Sequence, residues 1–228
     1  MIETDLSALC ETLSSRLLEQ SSRILVAIAG APASGKSTQA AWLSQQLNEK
    51  HETHSRQISI VVPMDGFHLD NVILQRDDLL ARKGSPVTFD ATGLWHLLSH
   101  IRQMGTDQSN AGEAATPDSS VAFPVFDRKL DLSRAAGDRV LVEHRCVIVE
   151  GNYLLLEQHP WTLLRDLFDI TVMLDVPEET LSERLTERWL SHGEPLKKAR
   201  SRVENNDLPN ARTVIAHSAD ADFLIRNG

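Results

Sequence analysis

The chain has 228 residues, of which 41% are hydrophobic and 24% charged, and its formal net charge is −9. The length suits one well-buried domain, and the composition is ordinary for a soluble globular protein. The acidic balance argues against nucleic acid or an anionic membrane as a partner. No apolar run reaches membrane-spanning length and the first residues lack a signal-peptide layout, so we expect a cytoplasmic protein.

The hydrophobic pattern predicts helices that alternate with strands. Leucines at helical spacing indicate an opening helix at about 4–20, and an apolar run indicates a buried strand at 24–29. A helix to about Lys50 and a strand at 57–63 complete a parallel β–α–β unit. The later predicted elements are helices at about 69–79, 91–104, 178–191 and 196–204, and strands at 121–126, 139–143, 146–150, 169–175 and 222–226.

The order of these elements predicts the fold class. Residues 105–120 contain no large apolar side chain, so we expect a flexible surface insertion there. Strands alternating with helices predict a single domain over 1–228, built as a doubly wound parallel α/β sheet.

Residues 30–37 carry the pattern Gly30-x-x-x-x-Gly35-Lys36-Ser37, which is typical of a phosphate-binding loop between a strand and a helix. Its glycines let the backbone N–H groups face a polyphosphate, and the helix N-terminus adds a positive dipole end. Lys36 can reach the β- and γ-phosphates, and the Ser37 hydroxyl is placed for Mg²⁺. We therefore expect a nucleoside triphosphate, ATP, held by Gly30, Ala31, Pro32, Ala33, Ser34, Gly35, Lys36, Ser37 and Thr38.

Two apolar strands end in carboxylates. Asp65 follows the strand at 57–63, and Glu150 ends the strand at 146–150. We expect the Asp65 strand to lie beside the phosphate-loop strand, because the carboxyl ends of parallel strands line the ligand crevice. Asp65 is predicted to accept a substrate proton or to hold Mg²⁺, with a helix N-cap as the alternative. Glu150 is predicted to contact Mg²⁺ through water or to orient the attacking group.

Arg184 and Arg188 lie four residues apart on a strongly charged predicted helix and therefore share a face. One interpretation is a salt-bridged surface helix. The other is a lid, at about 178–205, that brings guanidinium charge to the transferring phosphoryl group.

Several segments resemble the uridine kinase, bacterial pantothenate kinase and phosphoribulokinase group of P-loop kinases, and most of all its bacterial sugar or nucleoside kinase-like members. They are Met64–Asn71, Arg82–Asp90, Phe123–Arg128 with Ser133 and Arg134, Val149–Tyr153, Arg184 with Arg188, and Ala221 with Asp222. The resemblance covers about residues 23–224. It implies a nucleoside-monophosphate-kinase-like three-layer sandwich with a lid helix and a catalytic base at Asp65. It also implies acceptor contacts from His68, Asn71, Asp127, Arg128 and Arg134.

The leading hypothesis is an ATP- and Mg²⁺-dependent kinase that phosphorylates a hydroxyl of a sugar, a nucleoside or a pantothenate-like alcohol. Its catalytic residues would be Lys36, Asp65, Arg184 and Arg188, with Ser37 and Glu150 at the metal. The alternative is a nucleotide-switch ATPase without a small-molecule acceptor, which the acceptor-type segments at 65–71 and 123–134 disfavour. The acceptor's identity and the oligomeric state stay open, with a homodimer as one alternative.

Overall fold

A six-stranded parallel sheet forms the centre of the structure, a computed structural model that describes residues 1–51, 57–104 and 120–228. The strands in chain order are β1 (Ile2–Glu3), β2 (Ile24–Gly30), β3 (Ser59–Pro63), β4 (Ser120–Asp127), β5 (Leu132–Leu141), β6 (Cys146–Gly151), β7 (Ile170–Asp175) and β8 (Phe223–Arg226). The helices are α1 (Leu6–Glu19), α2 (Lys36–Lys50), α3 (Asn71–Arg76), α4 (Ala91–Gln103), α5 (Glu178–Ser191), α6 (Leu196–Arg202) and α7 (Leu208–His217). The sheet order is β1–β8–β7–β2–β6–β3, which confirms the predicted α/β class.

Helices cover both faces of the sheet because its central strands are apolar throughout. Every residue of β2 and β6 is buried. Between residues 24 and 29, the even-numbered side chains of β2 pack with the leucines of α1 and α2. The odd-numbered ones pack with α4 on the other face. The predicted three-layer sandwich is therefore present.

The strand that leads to Asp65 lies one position further from the phosphate loop than predicted. β3 pairs with β6, and β6 pairs with β2, so β6 separates the two strands. The prediction was wrong because it treated strands that are neighbours in sequence as neighbours in the sheet. As a result Glu150, at the end of β6, lies between the loop and Asp65.

The structure also differs from the prediction in its hairpin and its last helices. β4 and β5 form an antiparallel hairpin, and β5 begins at Leu132 instead of residue 139. Most of its side chains are exposed, so the apolar pattern that marks a buried strand is missing. Helix α7 was not predicted; it follows α6 after a π-helical turn at Val203–Asp207. The predicted flexible insertion at 105–120 lies outside the described residues, apart from Ser120 in β4.

No helix in the described ranges is both long and apolar enough to cross a membrane.

Candidate active site

The phosphate-binding loop joins β2 to α2 as the motif predicts. Gly35 (φ +91°) and Ala33 (φ +63°) turn the loop through left-handed backbone, which alanine adopts at a cost of about 1–2 kcal/mol. Gly35 is also the N-cap position of α2, and no side chain caps the helix there. The first N–H groups of α2 therefore have no capping side chain and can bind an anion.

Lys36, the first residue of α2, is folded back over the loop. Its side chain is buried, and Nζ donates to the Ala31 carbonyl at 2.8 Å and to Ser34 Oγ at 3.4 Å. Burial lowers the pKa of Lys36 to about 8. A buried ammonium held by neutral oxygens is suited to receive an anion, because the negative charge would offset its desolvation.

Ser37 and Glu150 bring two oxygen-bearing side chains together beside the loop. The Ser37 hydroxyl donates to Oε1 of Glu150 at 3.1 Å. Glu150 is 6% exposed, and burial together with the negative charge of Asp65 raises its pKa. Hydroxyl and carboxylate oxygens next to a phosphate loop fit the ligand preference of Mg²⁺. These two residues are therefore suited to hold the metal.

Asp65 lies in a turn of 3₁₀-helix, Met64–Phe67, directly after β3. Arg128 Nη2 of the hairpin donates to Asp65 Oδ2 at 3.2 Å. A Cβ at the neighbouring Gly66 would lie 2.0 Å from the carbonyl oxygen of Pro124, so the hairpin packs directly on this turn. The side chains of Asp65 and Arg128 are 31% and 51% exposed, and such a pair contributes little stability. A substrate can therefore displace one partner at small cost.

An aromatic wall lies beyond Asp65. The His68 ring packs between Phe89 and Phe126, with ring centroids 4.0 Å and 4.6 Å apart. Burial lowers the pKa of His68, which favours the neutral ring in this apolar setting. Lys83 Nζ lies 5.2 Å from the Phe126 centroid and forms a 2.9 Å salt bridge with Asp131. The wall thus combines apolar surface with one fixed ion pair.

Four side chains from α5 to the π-helical turn close the other side. Trp189 Nε1 donates to Asp207 Oδ2 at 2.6 Å, and the Arg202 guanidinium lies 3.8 Å from the centroid of the Trp189 ring. Burial lowers the pKa of Arg188 and raises that of Asp207. The contacts join α5 to the segment that follows α6.

Most of these groups line one cleft of about 310 Å³ that extends from the phosphate loop to the aromatic wall. The predicted site residues that line it are Pro32, Ala33, Gly35, Lys36, Ser37, Thr38, Asp65, His68, Arg128, Glu150 and Arg188. A larger cavity of about 770 Å³ lies between α2, β3 and the end of β5. It contains none of the predicted site residues, so the cleft at the loop is the candidate active site.

Three predicted acceptor residues are outside the lining of this cleft. Asn71 donates to Asp131 Oδ2 at 2.9 Å. Asp127 accepts two backbone N–H bonds at 3.1 Å in the hairpin turn and pairs with Arg134 at 3.5 Å. These side chains hold the hairpin in shape, and their contact with an acceptor stays a prediction.

Four further predicted residues also lie outside the lining. Gly30, Ala31 and Ser34 belong to the loop backbone that surrounds Lys36. Arg184 Nη1 donates to the carbonyl oxygen of Asn227 at 3.0 Å, whereas Arg188 lines the cleft. Of the two predicted lid arginines, Arg188 is thus the one placed to reach a phosphoryl group.

Several cleft residues were not among the predicted site residues. They are Lys83, Gly84, Phe89, Phe126, Asp131, Gly151, Asn152, Trp189, Arg202, Asp207 and Asn210. Asn210 lines the cleft although the residue is only 7% exposed, and no side-chain hydrogen bond joins it to another residue of the described ranges. It belongs to α7. Apolar residues recur at helical spacing after residue 204, and this pattern indicates the helix.

No protein-family model matches the chain. It is 32% identical to a proposed uridine kinase of Schizosaccharomyces pombe over 216 residues, which cover 92% of this chain and 86% of the relative. A pantothenate kinase of Mycolicibacterium vanbaalenii is 31% identical over 167 residues, covering 73% of this chain and 48% of that protein.

A solved structure from a Silicibacter species, proposed to be a fructose transport system kinase, is 39% identical with a TM-score of 0.83. The match covers 97% of this chain and 98% of the other. Similarity of this extent, in both sequence and fold, reaches well beyond the phosphate loop. The chain therefore belongs to the uridine kinase-like group of P-loop small-molecule kinases.

Proposed function

We propose that the protein transfers the γ-phosphoryl group of ATP to a hydroxyl of a small polar metabolite, such as a sugar, a nucleoside or a pantothenate-like alcohol. The observation that carries this proposal is one cleft shared by the phosphate loop, Glu150 and Asp65. The relatives are named, or proposed to be, a uridine kinase, a pantothenate kinase and a fructose transport system kinase, and these names support a small hydroxylated acceptor.

The proposed reaction assigns one task to each part of the cleft. Loop N–H groups and Lys36 hold the phosphates, and Arg188 supplies positive charge to the group in transfer. Ser37 and Glu150 would hold Mg²⁺, which neutralises phosphate charge. The acceptor oxygen bonds to the γ-phosphorus as the bond to the β–γ bridging oxygen breaks, and ADP leaves. Asp65 takes the proton of the acceptor hydroxyl.

We further propose one kinase domain over residues 1–228, working in the cytoplasm, in which the segment at about 178–205 is a lid. Trp189 and Asp207 support the lid assignment, because their hydrogen bond joins α5 to the π-helical turn at the end of α6, and both side chains line the cleft.

Turnover with a panel of acceptors tests the proposal. ADP release should be slow with ATP and Mg²⁺ alone and should rise strongly when one sugar, nucleoside or pantothenate-type alcohol is added. Rapid ADP release that no compound of a broad panel changes would favour the switch ATPase.

Asn210 is proposed to form a hydrogen bond with a polar group of the acceptor. The Asn210 side chain lines the cleft and bonds to no other described side chain or backbone group, so a hydroxyl of the substrate can pair with its amide. Asn210→Ala should therefore raise KM for the acceptor by about tenfold and leave KM for ATP within about twofold. Steady-state kinetics with each substrate varied in turn measures both. An unchanged acceptor KM would contradict the assignment.

Lys36 should take up a proton when ATP binds. Its pKa is about 8 in the free protein, and phosphate charge beside Nζ raises it. Binding should thus take up about 0.1 proton at pH 7 and most of one proton at pH 9, and affinity should fall as the pH rises above 8. Calorimetry in buffers of different ionisation enthalpy measures this uptake. Equal proton uptake at pH 7 and pH 9 would contradict the assignment of this proton to Lys36.

A further inference from the structure

Asn227, directly after β8, contacts four separate parts of the molecule. Its backbone N–H donates to the Asp175 carbonyl at 2.9 Å, which anchors it to the end of β7. Its side-chain Nδ2 donates to the Ser34 carbonyl in the phosphate loop at 2.7 Å. Its Oδ1 accepts from Gln39 Nε2 of α2 at 3.2 Å, and its carbonyl accepts from Arg184 of α5 at 3.0 Å. Every polar group of Asn227 is therefore engaged.

The bond to Ser34 acts on the peptide unit between Ser34 and Gly35. In a planar trans peptide the C=O and the N–H point in opposite directions. Holding the Ser34 carbonyl on the outer side thus directs the Gly35 N–H away from Asn227. The contact is close, since a Cβ on Gly35 would lie 2.6 Å from Asn227 Nδ2. Asn227 therefore constrains the residue that immediately precedes Lys36.

The loop needs such a constraint. Both Ala33 and Gly35 are in left-handed backbone, and Ala33 adopts it at a cost. An unbraced loop could relax from this conformation, and its N–H groups would then no longer converge on one anion. Preorganised donors bind more tightly because ordering them costs nothing at the moment of binding.

We propose that Asn227 is a positioning residue for nucleotide binding, acting through the Ser34–Gly35 peptide. The inference rests on the proposed function, in that the loop must bind ATP. Arg184 contributes by holding the Asn227 carbonyl, and so links α5 to the loop without touching the phosphoryl group itself. This accounts for the position of Arg184 outside the cleft lining.

Two substitutions test the proposal. Asn227→Ala removes the bonds to Ser34 and Gln39 and should weaken Mg²⁺–ATP binding by about tenfold. Asn227→Asp has the same shape, but it turns a carboxylate oxygen towards the Ser34 carbonyl and adds negative charge near the phosphates. It should weaken binding by about a hundredfold. Calorimetric titration of the full chain gives the Kd without any need to know the acceptor.

Asn48→Ala is the matched control. Asn48, on α2, likewise makes two hydrogen bonds through its side-chain amide, at 2.7 Å and 3.1 Å to the Ser59 backbone, but away from the loop. It should lower Tm and leave the Kd for ATP unchanged, whereas the Asn227 variants should raise the Kd and leave the acceptor KM within twofold.

A Kd within twofold of wild type for both Asn227 variants would overturn the inference. So would an equal rise in Kd for Asn48→Ala, since the effect would then be general loss of structure. Wild-type protein that binds no ATP would overturn the proposed function, and this inference with it.

Discussion

Asp65→Asn should lower kcat by about 10²–10⁴-fold, the usual contribution of a general base, while the Kd for ATP stays within a few fold. Asparagine keeps the shape of the side chain and can still accept the bond from Arg128, so the turn after β3 should stay in place. It cannot take the proton of the acceptor hydroxyl. Single-turnover measurement of phosphoryl transfer, together with ATP titration, separates the two effects.

Asp70→Asn is the control for this prediction. Asp70 lies five residues further on and caps α3 by accepting from the Val72 N–H at 2.8 Å, a task that asparagine performs equally well. Its kcat should stay near the wild-type value. If Asp65→Asn turned over normally, Asp65 would be removed from the mechanism. If raised Mg²⁺ restored its activity, Asp65 would be a metal ligand instead of the base.

Gly66→Ala should disrupt the acceptor side of the cleft and destabilise the fold by about 3 kcal/mol, at the upper end of overpacking effects. The new Cβ would lie 2.0 Å from the Pro124 carbonyl oxygen and 2.6 Å from its carbon, and backbone atoms cannot turn aside as a side chain can. The hairpin must move away, and Arg128 moves with it from Asp65. We expect kcat/KM for the acceptor to fall by about a hundredfold in steady-state assays. Chemical denaturation of the same samples measures the loss of stability.

Gly193→Ala gives the comparison for stability. Gly193 has φ +84° and nothing within 4 Å of an added Cβ, so only the backbone cost of about 1 kcal/mol applies. Equal loss of stability in the two variants would contradict the steric account of Gly66.

The sequence predicts well whatever depends on contiguous residues. The phosphate loop is such a case, because strand, turn and helix follow one another between 24 and 50 and each shows its own local pattern. Glu150 and Asp65 were found in the same way, as carboxylates at the ends of apolar runs. A pattern of this kind reports which residue ends a strand.

What the sequence could not supply is the arrangement of distant segments. The position of β6 between β2 and β3 depends on the order of strands across the sheet, and local patterns do not encode that order. Arg184 and Arg188 look equivalent on a helix, yet one contacts Asn227 and the other lines the cleft. Asn227 itself lies 193 positions from its partner Ser34, so nothing near it in the chain indicates its contact.

The fate of the γ-phosphate tests the central claim most directly. ³¹P NMR of the protein with ATP, Mg²⁺ and the acceptor selected from the panel should show ADP and a new phosphate monoester appearing in equal amounts, and with Asp65→Asn the ester should form about 10²–10⁴-fold more slowly. Conversion of ATP to ADP and free phosphate alone, at the same rate with and without any acceptor, would contradict the account.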